Sequence, residues 1–99
     1  MKYQVVARVR SEDPKAIRPV LERRVVASGG FFRPLSNGFE FKVSLEGNSA
    51  EDLNRQFLTD LRSREEQTHV FSEWLSERGN RERFFDLDAR APHGTRVHP

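Results

Sequence analysis

Histidines at positions 69, 93 and 98 are the side chains of this 99-residue sequence whose ordinary pKa lies near neutrality. His93 and His98 have no carboxylate or third ligand at metal-binding spacing. His69 sits between Thr68 and Val70, a setting that suits a partly packed or solvated ring better than a ligand. There is no cysteine, so thiolate chemistry and disulfides are both closed to the chain. No glycine-rich phosphate loop precedes a helix, and no Ser, His and Asp can be placed together for nucleophilic catalysis. The reading is of a protein that is not an enzyme and needs no cofactor or metal. The side chains that could act by binding are the cations Arg8, Arg10, Arg33 and Lys42.

Those four must be held by a sheet. Lys2 to Arg10 alternates, with Tyr3, Val5, Ala7 and Val9 on one face and Lys2, Gln4, Val6, Arg8 and Arg10 on the other. Ser11-Glu12-Asp13-Pro14 then leads into a helix, with Asp13 as N-cap and Pro14 in the first turn. Ile17, Val20, Leu21 and Val25 form its apolar stripe, Pro19 interrupts it, and Gly29-Gly30 ends it. Asn37-Gly38 between two apolar runs predicts a hairpin with a two-residue type I′ turn. That turn would put Ser36 across from Phe39, Pro34 across from Phe41 and Arg33 across from Lys42. Pro34 cannot donate to a ladder, so its strand should be an edge.

A second helix opens at Asn48 to Asp52, with Ser49 as cap, and carries Leu53, Phe57 and Leu61 on one stripe. Thr68 to Leu75 is open to two readings, a fourth strand or a continuation of that helix to Gly79. A helix from Ala50 to Arg78 would be roughly 40 Å long, against strands of about 20 Å, so the strand fits a compact fold better. The expected class is α+β, a ferredoxin-like βαββαβ sandwich over residues 1–79, with an antiparallel sheet and two helices on one face. The expectation for residues 80–99 is an extension, partly disordered, in which Phe84, Phe85 and Leu87 dock on the domain and the remainder frays.

Gly38-Phe39-Glu40-Phe41 resembles the middle of the signature strand of RNA-recognition modules, whose paired aromatics point outward and stack on bases. Parity separates the two. Phe39, Phe41, Val43 and Leu45 share one face, and Glu40, Lys42 and Ser44 share the other. The phenylalanines should therefore be core, and the open face should be charged. Gly30-Phe31-Phe32-Arg33 resembles the end of the acylphosphatase phosphate loop, which would imply a small hydrolase. In that family the loop joins the first strand to the first helix, where this chain has acidic Ser11-Glu12-Asp13-Pro14.

Asp13-Pro14 after a strand, then Ile17, Leu21, a glycine at the helix end and a hairpin, resembles an ACT-type regulatory domain. Leu53 to Leu61 followed by Arg64 to Trp74 is similar to the last helix and strand of the ACT-like C-terminal domain of MgtC/SapB proteins. Lys15 and Ala16 stand where amino-acid-binding ACT domains usually carry glycine. What the resemblance implies is a non-catalytic regulatory module that associates with protein, including its own copies as a homodimer. Nucleic acid or phosphate is the alternative partner for the same basic face.

The charge distribution agrees with a basic sheet. Residues 1–47 hold nine Lys and Arg against five Asp and Glu, whereas residues 48–75 hold three against six. No run reaches the ~18 apolar residues of a membrane helix, so a soluble, cytoplasmic protein without membrane insertion is expected.

Overall fold

The computed structural model describes residues 1–86. The expectations for Leu87, His93 and His98 lie outside the described residues. The chain forms β1 (Lys2–Ser11), α1 (Pro14–Arg24), a 3-10 turn (Val26–Ser28), β2 (Phe31–Leu35) and β3 (Gly38–Glu46). It continues with α2 (Ala50–Arg64), β4 (Thr68–Ser76) and β5 (Arg81–Phe85). All pairings are antiparallel, in the order β2-β3-β1-β4-β5, so β1 is the middle strand and β2 and β5 are the edges.

The fold is thus α+β, but its sheet has five strands and not the four expected. The segment Arg81–Phe85, read from sequence as part of an irregular extension beyond residue 79, belongs to the sheet and pairs with β4. Its Phe84 is fully buried in the common core, which explains why so polar a segment is held there. Thr68–Ser76 is a strand, so α2 stops at Arg64, and Pro34 does lie on an edge.

Period-two alternation sets the core. Tyr3, Val5, Ala7 and Val9 of β1 are buried, and so are Phe39 (6% exposed), Phe41 (3%) and Val43 of β3. Both helices cover that face. Ile17, Val20 and Leu21 descend from α1, and Phe57, Leu58 and Leu61 from α2, with Phe41 stacked on Phe57 at 5.0 Å between centroids. Across β4, Trp74 meets Tyr3 edge-on at 5.8 Å. Trp74 Nε1 donates to Ser72 Oγ (2.9 Å), and Ser72 Oγ donates to Asn54 Oδ1 (2.8 Å), all three residues being buried.

Helix ends follow ordinary capping with one exception. Ser49 Oγ accepts the Asp52 N–H at 3.0 Å, as its position in front of α2 predicts. Asp13 occupies the N-cap of α1, yet its side chain makes no capping bond; its own N–H donates to Ser11 Oγ. Pro19 lies inside α1 on the exposed side, where the lost backbone bond does not interrupt the helix. The helix ends at Arg24, and Gly29, at φ 87°, closes the 3-10 turn that follows.

The hairpin register differs from the expected one by two residues. Leu35 pairs with Gly38, so the loop is Ser36-Asn37 and Gly38 is a strand residue. Two contacts impose this. A Cβ on Gly38 would collide with the backbone carbonyl of Val9, so only glycine lets β3 approach β1 there. The Asn37 carbonyl also accepts the Ser11 N–H at 3.0 Å, tying the loop to the end of β1. A two-residue shift leaves parity intact, so each side chain keeps its face but changes its neighbour.

Candidate binding face

The helix-free face of the sheet is laid out in rows, because directly paired residues on an antiparallel ladder point the same way. One row reads Arg33, Glu40, Arg8, Phe71, Phe85 from β2 to β5. The next reads Phe31, Lys42, Val6, Glu73, Arg83. Nearer the β2–β3 loop, Leu35, Gly38, Arg10 and His69 make a shorter row.

All four cations singled out from sequence are exposed on this face, but they are not one uniform patch. Arg33 stands across from Glu40 and not from Lys42, a direct result of the register shift. Glu40 binds Arg33 (Nη2 to Oε1, 2.6 Å) and, from the other side, Arg8 (Nε to Oε2, 3.4 Å). The Arg33 hydrogen bond holds the Glu40 carboxyl below its ordinary range against some burial, with Arg8 adding to the effect. Arg10 and Lys42 form no ion pair among the described residues. Arg83 is paired with Glu73 at 2.7 Å.

Sequence reasoning missed the aromatic part of the face. Phe31 (60% exposed), Phe71 (49%) and Phe85 (43%) all lie on it, together with exposed Val6 and Leu35. Among the described residues these five account for most of the exposed large apolar side chains; Met1 and Val26 are the others. Parity could have found Phe71, since Val70, Ser72 and Trp74 hold the core face of β4 and leave residue 71 outside. Phe85 could not be placed without recognising β5.

At the loop end of the face, Arg8, Val9, Arg10, Leu35, Asn37, His69, Phe71 and Phe85 line a groove of about 330 Å³. The rings of Phe71 and Phe85 lie 6.1 Å apart at 42°, and His69 is 6.5 Å from Phe85. His69 is held from behind. Its Nδ1 lies 2.6 Å from Asp86 Oδ2, while Asp86 Oδ1 accepts the Val70 N–H at 2.7 Å. Arg62 reaches the same carboxylate at 3.5 Å. Asp86 takes this position with φ 69°, a left-handed backbone that aspartate tolerates better than most residues. His69 is therefore a half-exposed ring, fixed through Nδ1, that lines the groove.

No group of three His, Cys, Asp or Glu side chains able to hold a metal ion occurs among the described residues. None of their helices is long and apolar enough to cross a membrane. No family model, curated protein or solved structure matches the chain.

Proposed function

We propose that this is a non-catalytic regulatory domain of ferredoxin-like, ACT-like type that associates with protein through its basic, aromatic sheet face, and that its first partner is a second copy of itself. The observation that carries the reading is the concentration of exposed apolar side chains on the one face no helix covers. Contiguous apolar surface rimmed by charge marks association sites.

The row pattern favours a self-complementary contact. β1 is the middle of five strands, so a two-fold axis along β1 lays the β2 side of one copy over the β5 side of the other. Val6 then meets Val6, Lys42 faces Glu73, Arg33 faces Phe85 and Phe31 faces Arg83. Arg8 meets its own copy with Glu40 beside it. Facing sheets turn by roughly 30° against each other, so the correspondence is closest next to the axis, at Lys42 and Glu73. Cations over aromatic rings add to the fit.

Sedimentation equilibrium tests the proposal. The wild type should dimerise, Lys42→Glu and Glu73→Lys should each weaken the dimer, and the double exchange should restore it. A chain that stays monomeric at ~100 μM, where even a weak specific interface would assemble, refutes the pairing and moves weight to a polyanionic partner for Arg10 and Lys42.

A further inference from the structure

We infer that the groove at the loop end of the sheet is a binding site for one nucleotide unit, an aromatic base carrying a phosphate, either free or within a single strand. Every group it uses comes from one chain, and because the pairing proposed above would lay Arg33 of a second copy over Phe85, nucleotide and second copy compete for this end of the face.

Four observations converge on that chemistry. Phe71 and Phe85 present two adjacent, half-exposed rings on the sheet, a surface on which a planar base can stack. Arg10, at the same end, has no carboxylate partner among the described residues, so its charge is open to a phosphate. Arg8 lies beside it and is only loosely engaged by Glu40, which is bound more closely by Arg33. His69 and Asn37 line the same groove, and their side chains can read the edge of a base.

The His69 arrangement supports a ligand role over a merely structural one. Asp86 fixes the ring through Nδ1 and is itself fixed by the Val70 N–H and Arg62, so the ring that lines the groove is held in one orientation. The groove, at about 330 Å³, is in the lower range of small-ligand sites. The outward-facing pair predicted to be absent at Phe39 and Phe41 is thus present on the other side of the central strand, on β4 and β5.

The test is fluorescence anisotropy with a labelled oligothymidylate, with unlabelled thymidine monophosphate as competitor, at about 50 and about 200 mM salt. Phe71→Ala should weaken binding on the order of tenfold. Arg10→Gln should weaken it and lower the salt slope by about one. Val26→Ala, exposed on the 3-10 turn and outside both the groove and the sheet face, should leave it unchanged. Competition by the monophosphate at concentrations near the oligomer's would identify a free nucleotide as the ligand, and its failure beside tight oligomer binding would identify a strand. Absence of binding to both probes, or binding that is indifferent to Phe71→Ala and Arg10→Gln, overturns the site. Sedimentation in the same buffers reports separately on pairing, which bound nucleotide should weaken, so either idea can fail alone.

Discussion

Arg33 on β2 stands directly across from Glu40 on β3, with Nη2 and Nε at 2.6 and 2.8 Å from the same carboxylate oxygen. Arg8, on the next strand, approaches the other oxygen. One carboxylate thus sets the spacing of two arginines on an open face. Such exposed pairs contribute little because solvent and salt screen them. Glu40→Gln should therefore shift the urea midpoint only slightly, with the shift fading at high salt. A larger, salt-independent loss would mean that Glu40 has a buried role.

Acid should find two weak points. Hydrogen bonding to Arg33, opposed by some burial, lowers the Glu40 carboxyl. At Asp60 burial opposes ionisation, but hydrogen bonds from Arg24 (2.6 Å) and Arg23 (2.7 Å) outweigh it. Both groups have lower values folded than unfolded, so the unfolded chain binds more protons as the pH drops. Their contribution is complete above the ordinary carboxylate range and is lost as pH falls below about 4. Thermal scans should show Tm level from neutrality to weak acid, then falling, with the fall reduced in Asp60→Asn.

Inside the domain, Trp74, Ser72 and Asn54 form one of the buried polar chains. Ser72→Ala removes the middle partner and leaves the indole N–H and the Asn54 carbonyl without it. Leaving a buried polar group unsatisfied costs about 1–3 kcal/mol, so a loss near 2 kcal/mol is expected in denaturant titration. Thr68→Val, which cuts a separate buried bond to Ser11, should add independently of it.

Two substitutions test the sheet itself. Phe84→Ala should cost about 3–5 kcal/mol, as for a buried phenylalanine elsewhere, and would show that β5 is integral to the domain. Gly38→Ala should cost about 3 kcal/mol, the upper part of the overpacking range, because its Cβ meets the rigid backbone of Val9. A mild effect at either position would contradict the pairing described for β5 or for β3.

Parity made the core legible: Phe39, Phe41 and Val43 had to share a face, and the burial of all three follows. Pro34 announced an edge, and the length of a continued helix argued for β4. The hairpin register was not legible, because Gly38 answers to the backbone of β1 some thirty residues earlier and not to the local turn. β5 escaped for a related reason. Arg81, Glu82 and Arg83 carry no apolar alternation, and a single inward phenylalanine is too little signal for a strand. With β5 unseen, the groove could not be assembled, although Arg8 and Arg10 were correctly turned outward.

The position of β1 has a consequence for how the domain comes into being. It leaves the ribosome ahead of both neighbours, yet its ladders are to β3 and β4, the latter completed only at residue 76. Until then its alternating valines have no lasting place to rest. Maturation must wait on the far end of the molecule, which slows acquisition of the native state and leaves the nascent chain in need of shelter in the meantime.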